Sequence, residues 1–287
     1  MSDYGHELEF GTFLTPVNRP AHQAVELAQL SERLGFELAT FQDHPYQPAF
    51  HDTWTLMSFI GATTSRIRLA GNVHNLPLRQ PAVLARSVAS LDLLTGGRVE
   101  LGIGAGGFWD AIEAMGARRL TPGEAVTALS EAVDVIRGIW DADGPGRLVA
   151  GGEFHRVDGA KRGPRPAHDV PVWIGAYQPR MLRLVGEKAD GWLPSLGYLK
   201  AGDLASSNTR IDDAAEAAGR SPREVRRLLN VGPLRSEPLQ HAEMLATLAL
   251  EHGFSTFVTA GDDPRALEVF AAEVAPRVRE LVAQERA

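Results

Sequence analysis

The chain has 287 residues, 44% of them apolar and 23% charged, with a formal charge of −7 and no cysteine. That composition is ordinary for a folded globular protein and excludes a fibre or a disordered chain. The lack of cysteine excludes disulfides, thiolate metal sites and a cysteine nucleophile; a basic nucleic-acid footprint is missing, and no apolar run nears the ~20 residues of a membrane span.

The N-terminus, "MSDYGHELEF", lacks the basic-then-apolar order of a secretory signal, so a cytoplasmic protein is expected. From there, short β-like runs alternate with longer segments of helical period. "LEFGTFL" (Leu8–Leu14) precedes a segment in which Ala24, Leu27, Ala28, Ser31 and Leu34 share one face, with Gly35 as a stop. A strand over Glu37–Phe41 leads through a loop to a helix from Asp52 to Thr64. "RIRLAGNV" (Arg66–Val73) reads as a strand, "PAVLARSVASLDLL" as a helix with Pro81 in its first turn, and "GRVELGIGAG" (Gly97–Gly106) as a strand running into a Gly-rich loop.

A long helix is predicted over Pro122–Trp140, then a small hairpin within "GRLVAGGEFHRVDG" and a Pro-rich loop. The strands "VPVWIGA", "DGWLPS", "VRRLLNVG" and "STFVTAG" follow, separated by helices at "QPRMLRLVGEKA", "DLASSNTRIDDAAEAAG" and "LQHAEMLATLALEHG". Asp262 is the expected N-cap of a last helix with Pro264 in its first turn. The cluster "REVRR" (Arg223–Arg227) reads as a solvated edge. Eight strands, nearly all followed by helices, imply parallel pairing with right-handed crossovers and hence an α/β fold, a (β/α)8 TIM barrel over residues 1–287. Residues from about Gly144 to Val170 form a small insertion after the fourth-strand region. An open doubly wound sheet binding a dinucleotide calls for GxGxxG after the first strand, and "GTFLTPVNRP" is not that.

Active-site groups of such a barrel come from the C-terminal ends of the strands. Those ends supply Thr15, Asp43-His44, Gly71-Asn72-Val73-His74, Gly104-Ala105-Gly106-Gly107, Gly175-Ala176-Tyr177, Pro194-Ser195, Asn230 and Thr259. Three readings of His44 stand open: a catalytic group, a metal ligand with His51 and His74, or a turn residue held extended by Pro45. The absence of any H-x-H pair and the few acids at strand ends weigh against metal. Gly102–Gly107 either permit a turn or let a planar ligand lie on bare backbone, and the helix start after Gly175 offers N–H groups to a phosphate.

"TFQDHPYQ", "TSRIRLAGNV", "PAVLARSVASLDLLTGGRVELGIGAG" and "VPVWIGAYQPRMLRLVGEKADGWLPS" together resemble the bacterial luciferase-like superfamily of FMN-dependent monooxygenases and coenzyme F420-dependent oxidoreductases. The likeness runs through nearly the whole chain and is strongest over residues 36–141 and 170–197. It implies a ring-proximal histidine at His44 preceded by its acid, Asp43, which would set the histidine tautomer or contact the ring. It further implies a non-prolyl cis peptide between Asn72 and Val73 behind the ring, with Gly104, Ala105 and Gly106 beside it. Gly175, Ala176 and Ser195 match groups around the cofactor phosphate. Asp-His at this position resembles the F420 branch, so F420 is the expected cofactor and hydride transfer the expected reaction, with FMN-dependent oxygenation or non-catalytic flavin binding as alternatives.

One departure concerns the substrate. Sugar-phosphate dehydrogenases of the F420 branch carry a glutamate where Gly107 stands, followed here by Phe108-Trp109. A small apolar or aromatic substrate beside Tyr46, Phe108 and Trp109 is expected instead, unless those rings serve the core, with contacts drawn mainly from the insertion. The resemblance implies a homodimer. His51-Asp52 is expected at the start of a helix, with Asp52 as its cap.

Overall fold

A computed structural model describes residues 3–200 and 202–287. Strand β1 (Glu9–Leu14) leads through helix α1 (Gln23–Arg33) to β2 (Leu38–Phe41) and α2 (Thr53–Thr63). Next come β3 (Arg68–Gly71), the two-residue β4 (His74–Asn75), α3 (Pro81–Thr95), β5 (Val99–Gly104), a short α4 (Trp109–Ala114) and α5 (Pro122–Trp140). β6 (Leu148–Ala150) and β7 (Val157–Ala160) pair antiparallel as the expected hairpin. The alternation resumes with β8 (Val172–Ile174), α6 (Pro179–Lys188), β9 (Gly191–Trp192), α7 (Asp203–Ala217), β10 (Arg226–Gly232) and α8 (Pro238–His252). β11 (Phe254–Ala260), α9 (Pro264–Val269), a π-helical turn (Phe270–Val274) and α10 (Ala275–Arg286) end the chain.

All pairings in the main sheet are parallel, and β11 returns to β1 while β3 joins β5, so the sheet closes as the (β/α)8 barrel read from the alternation. Side chains alternate across each strand. Leu38, Ala70, Trp173, Leu193, Leu228 and Val258 fill the barrel interior. Their neighbours Ala39, Leu69, Val172, Ile174, Leu229 and Phe257 belong to the larger layer under the helices.

The third barrel strand is interrupted. β3 pairs with β5 at Leu69–Val99 and Ala70–Glu100, and β4 resumes the same ladder at His74–Ile103. Gly71, Asn72 and Val73 thus stand against Leu101 and Gly102, one residue too many, which makes a bulge. The Asn72–Val73 peptide within it is cis. Gly102 and Gly104 exist for this bulge. A Cβ on Gly102 would meet the Gly71 carbonyl oxygen at 2.1 Å, and one on Gly104 would meet Val73 Cγ2 at 2.6 Å. The bare backbone expected to face a ligand is, at these two positions, the space the bulge itself fills.

Helix starts follow their caps. Asp52 accepts from Thr55 N at the start of α2, as expected, and Thr121 and Glu124 form a capping box on α5. For α9 the cap is Asp263, bonded to Arg265 N, whereas Asp262 accepts from the backbone N–H and hydroxyl of Thr15. Two adjacent acids carry no register in sequence; the contact with Thr15, 247 residues away, decides it. Helix α4 was hidden by its glycine-rich approach and its six-residue length.

The "REVRR" cluster is not a solvated edge throughout. Arg227 is fully buried, its guanidinium paired with Asp212 at 2.5 Å and lying 4.5 Å from the Tyr4 ring. The inserted hairpin packs against the helices: Leu148 lies on Gly138 of α5, and the Lys161 carbonyl accepts from Arg86 of α3.

Charged residues close the N-terminal end of the barrel. Arg68 bridges Glu9 and Glu100 at 2.8 and 2.7 Å, and Arg226 bonds Thr256 Oγ1 at 2.8 Å. Beside them, His168 lies 3.8 Å from Glu100 and 3.0 Å from the buried Asp92. Glu100 and Asp92 raise its pKa to about 9 against the pull of burial. A raised folded pKa gives stability that is complete below the unfolded value of ~6.5 and is lost as pH rises through the folded one. The melting temperature of the protein should therefore fall between pH 7 and 10 by more than that of His168→Gln. Parallel pH curves for the two proteins would contradict the assignment.

Candidate functional site

A cavity of about 960 Å³ opens at the C-terminal ends of the strands. Its volume is at the upper end of what small-molecule and cofactor sites occupy. Residues from all eight barrel strands or their following loops line it, from Phe13 on β1 to Val258 and Ala260 on β11. Of the sequence-expected site residues, Asp43, His44, Asn72, Val73, Gly104, Ala105, Gly106, Gly175 and Ser195 line this space. Ala176 does not: it is buried, and its carbonyl accepts from the indole N–H of Trp192.

His44 sits half-buried in an aromatic wall. Tyr46 stacks on it at 5.3 Å and 18°, and Phe108 stands edge-on at 5.2 Å. Burial pushes the His44 imidazole below its ordinary value, and the Asp43 charge opposes that shift. The side chain is therefore mostly neutral at pH 7, with one nitrogen able to accept a proton. The question left open for the rings is now divided. Tyr46 and Phe108 line the cavity, while Trp109, absent from that lining, packs under Gly106, where a Cβ would meet its ring at 3.2 Å.

Asp43 has a different occupation from the one expected. Its carboxylate accepts from Arg79 Nε and Nη2 at 2.6 and 2.7 Å and from Asn75 N at 2.9 Å. It makes no hydrogen bond to His44, so it does not set that tautomer. Burial would raise the Asp43 carboxyl, but the paired hydrogen bonds from the Arg79 guanidinium, with His74 close by, outweigh burial and hold it well below the usual carboxylate range. Arg79 also reaches Asp52 at 2.8 Å. One guanidinium thus ties the loop after β2 to the cap of α2 and to the chain after the cis bulge. Its distance of 36 residues from Asp43 left no motif to find.

The other histidines separate from His44. His51 Nε2 bonds the Ala21 carbonyl at 2.9 Å and is not in the cavity wall. His74 is fully buried, 3.5 Å from Asp43 and packed on Trp54. Among the described residues, no three His, Asp or Glu side chains converge on a metal-sized site. The inserted hairpin contributes nothing to the cavity wall; the Gly106–Phe108 turn does. In the first turn of α6 the N-cap Gln178 makes no side-chain bond and residues 178–181 lie outside the lining, whereas Gly175 and Ser195 line the cavity.

Whether a flavin-like cofactor fits can be asked of the buried polar atoms. Buried polar groups are normally paired. Here Tyr46 Oη, both ring nitrogens of His74 and Asn75 Oδ1 have no partner, and all three residues are among those that line the cavity. A heteroaromatic ring edged with carbonyl and N–H groups suits such a set, and the cavity is large enough for it.

A parallel eight-stranded barrel with one large cavity over a non-prolyl cis bulge defines a ligand-binding (β/α)8 protein. The luciferase-like monooxygenase family model matches residues 8–284, and the chain belongs to that family. It is 31% identical over 218 residues to a 5,10-methylenetetrahydromethanopterin reductase of Methanolobus tindarius, covering 76% of this chain and 63% of that protein. It is 31% identical over 242 residues to an F420-dependent glucose-6-phosphate dehydrogenase of Nakamurella multipartita, covering 80% of this chain and 69% of that protein. The coenzyme F420-dependent tetrahydromethanopterin reductase from Methanopyrus kandleri superposes with a TM-score of 0.78 at 20% identity, over 95% of this chain and all of that one, a likeness of fold.

Proposed function

We propose that the protein is an F420-dependent oxidoreductase acting on a small organic molecule. The observation that carries this reading is His44: a desolvated imidazole in the wall of the strand-end cavity, in a chain whose relatives include F420-dependent enzymes. Bound in the cavity, the deazaflavin would supply or take up hydride at C5. The chain's own part is then to bind, orient and move a proton. Asn72–Val73 and Gly104–Gly106 support the ring, and Gly175 and Ser195 serve the phosphate side. His44 gives or takes the proton that accompanies hydride. Asp43, locked by Arg79, positions the loop that carries His44.

The substrate is apolar or aromatic, since Tyr46 and Phe108 supply the wall around His44 and no unpaired acid lines the cavity among the described residues. A panel of aromatic and conjugated carbonyl compounds offered to the enzyme with reduced F420 should oxidise the cofactor. Rapid oxygen consumption with reduced FMN, and no reaction with reduced F420, would overturn the reading in favour of a monooxygenase.

The same reading includes a homodimer. Helix α2 carries no charged residue between Thr53 and Thr63, and Phe59, Val83 and Leu94 on α2 and α3 are 50%, 63% and 84% exposed. An uncharged, apolar outer helix face calls for a cover. Phe59→Glu with Leu94→Glu should convert the dimer to monomer in light scattering, and a wild-type monomer would contradict the assignment.

A further inference from the structure

Five barrel strands are tied together by side chains at the floor of the cavity. Asn72 Nδ2 donates to Asn230 Oδ1 at 2.7 Å, and Asn230 Nδ2 donates back to Asn72 Oδ1 at 3.1 Å. The second N–H of Asn72 goes to Thr40 Oγ1 at 3.1 Å. The Thr40 hydroxyl donates to the Thr12 carbonyl and so accepts from Asn72, which orients the Asn72 amide and, through the reciprocal pair, that of Asn230. The second N–H of Asn230 goes to Ser195 Oγ at 3.2 Å.

The state of Ser195 follows from this count. Its hydroxyl oxygen already accepts from Asn230, so its proton points elsewhere. Among the described residues that proton has no acceptor, and Ser195 lines the cavity. Its backbone N–H is already engaged with Tyr177 Oη at 2.8 Å. The hydroxyl is therefore the donor that Ser195 has left to offer. Asn230 stands beside it, held by the backbone bond from its N–H to the Pro194 carbonyl at 2.9 Å.

We propose that Asn230 is a positioning residue for the bound cofactor, clamping Asn72 of the cis bulge and turning the Ser195 hydroxyl proton toward an acceptor oxygen of the ligand, its phosphate. This rests on the cofactor reading above and deepens it: one amide sets both the support behind the ring and the polarity of the phosphate contact. A hydroxyl free to rotate could present a lone pair, which repels an anion. One held by Asn230 presents its hydrogen.

The test is a double-mutant cycle read by binding. F420 affinity is measured by fluorescence for wild type, Asn230→Ala, Ser195→Ala and the double variant. Each single change should weaken binding about 10-fold or more, the scale of a hydrogen bond to a charged group. The double should be little worse than Asn230→Ala, because the oriented Ser195 contact is already lost in that single variant. Repeating the titration with the deazaflavin riboside that lacks the phosphate separates the two acceptors: the Ser195→Ala penalty should vanish. A penalty that persists would place the contact on the ring and overturn the phosphate assignment.

Additive penalties would overturn the proposal. A second readout needs no cofactor. In the free protein, the Asn72 side-chain amide protons should exchange slowly with solvent and much faster in Asn230→Ala. Unchanged exchange would refute the clamp. If the wild type binds no flavin or deazaflavin, the cofactor reading falls and takes the ligand half of the proposal with it, and the exchange rates still decide the clamp.

Discussion

Replacing His44 by alanine should leave the fold and F420 affinity close to wild type while lowering turnover by ~10²–10⁴, the usual scale for a lost acid–base group. The side chain is half-buried in the cavity wall and donates or accepts no hydrogen bond within the described protein, so little structure depends on it. Its neighbours Tyr46 and Phe108 keep the wall apolar after the change. Burial holds the imidazole below its ordinary ~6.5. The wild-type pH–rate profile should accordingly show a limb on the acid side of that value, and the limb should disappear in the variant. Turnover that survives His44→Ala with any accepted substrate would remove this residue from the mechanism.

Arg79→Met should destabilise the protein by about 3–5 kcal/mol, the range for removing one partner of a buried ion pair. Asp43 is fully buried and relies on the guanidinium for two of its three hydrogen bonds. Losing that partner strands a carboxylate in the wall of the site. Asp43→Asn combined with Arg79→Met removes the stranded charge and should recover part of the loss. The pH dependence has a definite sign. A carboxyl held below its unfolded ~3.9 contributes stability that is present above that value and lost as pH falls through the folded one. Chemical denaturation at pH 7 and pH 3 should show the gap between wild type and Arg79→Met narrowing in acid. Equal stability of the two proteins at pH 7 would show that Arg79 is a surface group and that Asp43 is held by other means.

Much of the barrel was legible because its signals are local. Alternation of short apolar runs with helical periods, prolines at first turns and Gly stops mark eight βα units, and α5 runs over the expected Pro122–Trp140. The Asp43–His44 strand end was visible by topology alone, and the cis peptide at Asn72–Val73 through the family resemblance. The parts that escaped are pairings between distant residues. Arg227 looks like a solvated cation until Tyr4 and Asp212 are brought to it. Asp43 looks like a partner for His44 until Arg79 claims it. The inserted hairpin looks like a substrate loop, yet it follows α5, on the helical layer, and not the cavity mouth. Asn230 is one residue in an unremarkable strand end, and only the closed barrel sets it opposite Asn72. Alternation reports faces of single elements; it does not report which two strand ends meet across a cavity.

The measurement that bears most directly on the central claim is a paired titration of the purified protein with F420 and with FMN, each followed by its own fluorescence. Tight binding of F420 with weak binding of FMN is the predicted result. Tight FMN binding with weak F420 binding would contradict it and move the protein to the oxygen-activating branch of its family.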